Sequence, residues 1–144
     1  MLDTEGVLSF FERARNAAGR LIVKSPRHAF RWTNGKPLKI NCGFRDGIGC
    51  GRRKICVGDW DGDGKADIVV NGSVNAEIYL QRKAENGEWF FESVGAPARL
   101  KLDTHDPQPA FCDFNGDGVA DLLFGPMDGY IYYLRNPRTE GKGE

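Results

Sequence analysis

One ten-residue stretch occurs twice in this chain, and it limits what the chain can fold into more than any other feature. Asp59-Trp60-Asp61-Gly62-Asp63-Gly64-Lys65-Ala66-Asp67-Ile68 lines up with Asp113-Phe114-Asn115-Gly116-Asp117-Gly118-Val119-Ala120-Asp121-Leu122 at an offset of 54, with six positions identical and three similar in kind. The flanks repeat too. Ile55-Cys56-Val57 and Ala110-Phe111-Cys112 precede the two copies, and Ile68-Val69-Val70 and Leu122-Leu123-Phe124 run out of them. Short apolar runs of this kind, bounded by Gly and Asn, predict buried strands. After a turn in each copy come alternating segments, Ala76-Glu77-Ile78-Tyr79-Leu80-Gln81 and Tyr130-Ile131-Tyr132-Tyr133-Leu134-Arg135, and a fourth strand is predicted at 89–94. Four antiparallel strands in roughly 50 residues is the size of a propeller blade.

The acidic loop between the first two strands has its own chemistry. Calcium takes about six to eight oxygen ligands at ~2.3–2.6 Å, and carboxylates at alternate positions of a coiled loop can all face one centre. Asp59, Asp61, Asp63 and Asp67 occupy positions 1, 3, 5 and 9 of the first copy, with the backbone carbonyl of Lys65 as a further donor. Asp113, Asn115, Asp117, Asp121 and the Val119 carbonyl are the counterparts in the second. Gly62, Gly64, Gly116 and Gly118 allow the positive φ that such a wrap needs. The carboxylates would repel one another strongly without a cation. Two calcium sites are therefore expected, with magnesium disfavoured because it demands a stricter octahedron and keeps its waters. Asn115 carries one negative charge fewer than Asp61, so the second site is expected to be the weaker. An EF-hand or dockerin-like arrangement is disfavoured: each wants an acid at loop position 12, where Val70 and Phe124 stand, and a helix after it.

The remainder of the sequence sets bounds. A chain of 144 residues with 19 glycines and 7 prolines suits one compact, turn-rich fold of short strands. Twenty basic and twenty acidic residues give no net charge, which argues against a nucleic-acid partner, and seven of the acids lie in the two loops. No run reaches the roughly 18 apolar residues of a membrane span. The N-terminus lacks the basic start and apolar stretch of a signal peptide, so the chain is either cytoplasmic or a piece of a longer secreted protein. The four cysteines form no CxxC pair and the two histidines are far apart, which disfavours structural zinc. Cys42 and Cys50 flank a glycine-rich loop and are candidates for a disulfide, while Cys56 and Cys112 read as small buried hydrophobes. Residues 5–13 echo the third strand of the last unit. A strand there is favoured over a helix spanning 4–18 with Val7, Phe10 and Ala14 on one face.

The runs VGDWDGDGKADIVVNG and FCDFNGDGVADLLFG resemble the FG-GAP/VCBS repeats of integrin-α-like β-propellers, and residues 51–137 are similar to the C-terminal blades of bacterial secreted members. The resemblance implies calcium between the first two strands of each blade, held by Asp59, Asp61, Asp63 and Asp67 and by Asp113, Asn115, Asp117 and Asp121. The expected fold is all-β, with about two and a half antiparallel four-stranded blades of an open or incomplete propeller. Residues 1–50 form a partial preceding blade, 51–104 a full blade, and 105–144 a C-terminal blade with a polar tail. A closed ring needs about four to eight blades, so the missing blades belong to a longer chain or come from self-association. The expected function is that of a structural or binding module for a glycan or protein ligand, in an extracellular or periplasmic parent protein. Candidate contacts are Trp32, Trp60, Phe114 and the Arg52-Arg53 pair, each more simply explained as a core or rim residue. The alternative is part of a polysaccharide lyase or hydrolase using His105 or Tyr130 as a base, with His105-Asp106 the one tempting pair. No GxSxG elbow, P-loop or GxGxxG is present, no catalytic residue is assigned, and Asn71-Gly72-Ser73 reads as a turn rather than a glycosylation site.

Overall fold

In the computed structural model the described residues are 6–40, 53–71, 76–83, 89–98, 107–126 and 128–139. They form antiparallel sheets of two, four and three strands and no α-helix. The fold is all-β, as the sequence predicts. By contact density the chain divides into residues 1–51 with 83–91, and residues 52–82 with 92–144.

The first unit opens as extended chain. Gly6 and Leu8 exchange backbone hydrogen bonds with Ile40 and Leu38, and Phe10 pairs with Arg27 in both directions. The chain then enters a hairpin of β1 (Arg13–Arg15) and β2 (Leu21–Val23). Its turn is closed by the Asn16 side chain, which accepts the amides of Ala18 and Arg20, and by Gly19 at φ 73°. An Asn that captures nearby amides offers the backbone an alternative to helical bonding. The extended reading of this segment holds and the helix over 4–18 is not formed among the described residues. Leu8, Leu38 and Ile40 are buried, and Phe30 packs between Phe10 and Phe91.

The second unit carries the repeat. β3 (Ile55–Gly58), β4 (Asp67–Asn71), β5 (Ala76–Lys83) and β6 (Trp89–Gly95) follow one another across a four-stranded sheet. β7 (Gln108–Cys112), β8 (Asp121–Gly125) and β9 (Tyr132–Leu134) make the three-stranded one, and a 3-10 turn, Pro137–Thr139, follows. In both, the acidic loop joins the first strand to the second, so it closes a hairpin whose register fixes where the loop begins and ends. Gly58 stands opposite Asp67, and Cys112 opposite Asp121.

The apolar faces of the two sheets share one core. Val69, Ala76, Ile78 and Leu80 of the first meet Leu122 and Phe124 of the second, with Cys56, Trp60, Phe111, Tyr132 and Leu134 at its margin. The approach is tight at Gly58, where an added Cβ would lie 2.6 Å from the Phe111 ring. Cys56 is partly buried against this core, and desolvation pushes its thiol up to about 12. The segments holding Cys42, Cys50, Arg52, Gly72-Ser73 and His105-Asp106 lie outside the described residues.

Candidate metal centre

The hairpins between β3 and β4 and between β7 and β8 place both acidic loops at the same edge of their sheets. All four glycines inside the loops adopt positive φ, 76° and 80° at Gly62 and Gly64 and 77° and 81° at Gly116 and Gly118. An L-residue rarely enters that region, so these positions carry the wrap anticipated from the sequence.

In the first loop, ligand-capable oxygens of Asp59, Asp61 and Asp67 all lie within 4.8 Å of one another. Each carboxylate is oriented by backbone amides. Asp59 accepts from Gly62 at 2.6 Å and Gly64 at 3.1 Å, and Asp61 accepts from Asp63 at 3.2 Å. Asp67, fully buried, takes Trp60 at 2.8 Å and Asp61 at 3.4 Å on one oxygen and Gln81 of β5 at 2.8 Å on the other. Burial holds the Asp67 carboxyl above the usual carboxylate range, and the charge of Asp61 adds to that rise. Asp63 is turned differently. Its carboxylate pairs with the Lys65 ammonium and stands 3.3 Å from Arg82, and the hydrogen bond from Lys65 pulls its pKa down. Arg82 also grips Asp61 at 2.7 Å, which raises the guanidinium further.

The second loop repeats the inner turn. Asp113 accepts from Gly116, Asp117 and Gly118 at 2.8, 3.0 and 2.9 Å, Asn115 Oδ1 from Asp117 at 2.9 Å, and Asp117 from Val119 at 2.9 Å. Asp121 is fully buried like Asp67, but its partners differ. The Tyr133 hydroxyl donates to it at 2.9 Å and the Asn136 amide at 2.7 Å. Partial burial and the bond to Asp121 both raise the Tyr133 phenol. Asn115 Nδ2 donates to the same hydroxyl at 3.1 Å, and Arg135 stands 3.8 Å from Asp117.

Four supporting residues escape the motif: Gln81, Arg82, Tyr133 and Asn136. Gln81 and Asn136 are structural counterparts although 55 positions apart, not 54. Ile68 pairs with Tyr79 but Leu122 pairs with Leu134, so the second copy has gained one residue between its second and third strands. Gln81 closes on Ala66 through its side chain, and Asn136 on Ala120. Sliding the third strand by one residue would have exposed this equivalence in the sequence. Among the aromatic candidates, Trp60 packs on Phe111 at the core margin, whereas Phe114 is 64% exposed and lies against Tyr133. Arg53 turns inward to the Asn71 carbonyl.

Residues 59–124 match a family model described as an FG-GAP-like repeat. The chain carries an FG-GAP-like repeat. The match begins at the first residue of one acidic loop and ends inside the strand that leaves the other, so it covers both loops with the strands between them. The search of curated proteins and the search of solved structures found no match. A match of this kind on antiparallel sheets of blade size suggests a β-propeller-type structural or binding module. No helix is long and apolar enough to cross a membrane among the described residues.

Proposed function

We propose that the chain is a calcium-stabilised segment of a β-propeller whose role is structural or ligand-binding rather than catalytic, within an extracellular or periplasmic protein. The observation that carries this reading is the convergence of Asp59, Asp61 and Asp67 within 4.8 Å on a loop built to present oxygen atoms. The donor set fits a hard divalent cation: carboxylates, an amide oxygen at Asn115 and main-chain carbonyls at Lys65 and Val119, with no soft ligand. Asp59, Asp61, Asp63 and Asp67 would hold one ion and Asp113, Asn115, Asp117 and Asp121 the other. A bound cation would relieve the repulsion between Asp61 and Asp67 and tie the first two strands of each blade together. Extracellular calcium modules bind at about 10⁻⁴–10⁻³ M, a range suited to compartments where the ion is plentiful. The lyase alternative draws no support from Tyr130, which is 70% exposed with its amide bonded to Asp128.

A thermal melt in millimolar calcium and again in excess EDTA tests the reading. Occupancy at about 10–100 times Kd adds roughly 3–5 kcal/mol over two sites. A large calcium-dependent rise in Tm that disappears in a double Asp59→Ala, Asp113→Ala variant supports the assignment. Identical melts with and without EDTA would leave the loops as ordinary acidic turns.

A further inference from the structure

The neutral total charge conceals a segregation. Residues 6–40 hold eight lysines and arginines and a single acid, Glu12. That acid is already committed, with its carboxylate 2.8 Å from Lys24. Within this unit a cleft of about 440 Å³ is lined by Arg27, His28, Ala29, Arg31 and Trp89. Among the described residues no acidic side chain lines it, and the volume lies within the ~300–1,000 Å³ range of small-ligand sites.

The backbone that carries the cations of this cleft is anchored, and each guanidinium has one local contact. The Arg27 main chain is bonded in both directions to Phe10, and its guanidinium sits 5.2 Å from the centre of the Phe10 ring. Arg31 donates to the Gly35 carbonyl at 2.9 Å, and its own carbonyl accepts the Phe91 amide at 2.7 Å. Phe10, Phe30 and Phe91, which take part in these contacts or pack between them, form one aromatic cluster. Trp89 is 44% exposed, and the Lys83 ammonium lies 5.7 Å from its ring centre. Two exposed guanidinium forks suit a planar oxyanion, which arginine binds through paired hydrogen bonds. An exposed indole suits the apolar face of a sugar ring.

We propose that this cleft binds an acidic sugar chain, its carboxylate or sulfate taken by Arg27 and Arg31 and one ring lying against Trp89. Single-stranded nucleic acid shares the anionic chemistry but stacks successive bases on a series of aromatics. Among the described residues the cleft offers one indole, which favours a sugar. The site lies outside both acidic loops, so it stands or falls apart from the calcium reading.

The test is titration of the full chain with a uronate trisaccharide, its sulfated counterpart, a neutral trisaccharide and an oligothymidylate, followed by Trp fluorescence and calorimetry. The expected result is that an acidic trisaccharide binds at least tenfold more tightly than the neutral one. Its preference between carboxylate and sulfate identifies the oxyanion. An Arg27→Gln, Arg31→Gln variant should lose at least tenfold in affinity, and Trp89→Ala about fivefold with no change in charge. Arg31→Lys keeps the charge but removes the fork, and should lose about threefold, which provides a reading should the double variant fold poorly. Lys36→Gln with Lys39→Gln should remain within twofold. Equal binding of the neutral sugar would overturn the proposal. So would an equal loss from the Lys36/Lys39 pair, which would mean diffuse charge attraction, or tighter binding of the oligothymidylate through the same residues.

Discussion

The two acidic loops share a motif, a glycine pattern and a fully buried final aspartate, yet each completes its site by different means. In the first loop the amides around Asp67 come mainly from the loop itself, and cations reach in from Lys65 and from Arg82 on the neighbouring strand. In the second, a tyrosine hydroxyl and the Asn136 amide support Asp121, and Asn115 replaces a carboxylate. The motif therefore dictates the turn, while the third strand dictates the electrostatics. Counting carboxylates alone ranks the second site as weaker. The arginine that clasps Asp61 and Asp63 would work against the proposed first site, because a bound metal would have to share those oxygens with it.

The largest expected contrast comes from removing the buried aspartates. Asp67→Ala leaves the amides of Trp60, Asp61 and Gln81 without their acceptor, at about 1–3 kcal/mol for each buried group that water does not reach. Asp121→Ala strands one amide and a hydroxyl that can rotate toward another partner. Urea melts in EDTA should show Asp67→Ala losing about 3–4 kcal/mol and Asp121→Ala about 2 kcal/mol, and a reversed order would break the contrast between them.

A smaller effect follows from the charges. Arg82→Gln should tighten the first site by about fivefold, the equivalent of roughly 1 kcal/mol for a partly buried ion pair, while Arg135→Gln changes the second by less than twofold. Terbium titration in an Asp113→Ala, Asp117→Ala background, which removes two carboxylates of the second loop, reads the first site separately. No change on Arg82→Gln would mean that the guanidinium moves aside without cost.

The last effect concerns the shared core and emerges only in alkaline solution. Cys56 is held near 12 by burial, so the folded protein keeps a proton that the unfolded chain releases near pH 9. The unfolded state then binds fewer protons, and stability falls as pH rises from about 9 toward 12. Cys56→Ala should flatten that part of the curve. At pH 8 Cys56 should also resist thiol reagents in calcium and react faster in EDTA, as a measure of how far the blades loosen.

Much of this was legible in the sequence because it is local. A glycine that must take positive φ, a carboxylate at every second position and an apolar run on either side are all visible within ten residues. The hairpin of β1 and β2 was less so, since the Asn16 turn that produces it lies in a stretch whose apolar spacing also fits a helix. Gln81, Arg82, Tyr133 and Asn136 were not legible at all from the motif. They act across the sheet, and the extra residue in the second copy moves the third strand out of the 54-residue register that makes the repeat visible. The basic cleft was hidden for another reason, as a zero sum says nothing about where charges lie.

Asn136 deserves a last consequence. Its side-chain amide donates to Trp60 of the first loop and to Ala120 of the second, both at 2.9 Å, and Arg138 adds a bond to Trp60 at 3.1 Å. A short strand at the edge of a sheet frays readily. Here peeling β9 away means undoing bonds to a blade in which it has no place, so the segment that follows it behaves as a clasp. Amide exchange in β9 should therefore be slow for its length, and Asn136→Ala should release it without disturbing β3 or β4.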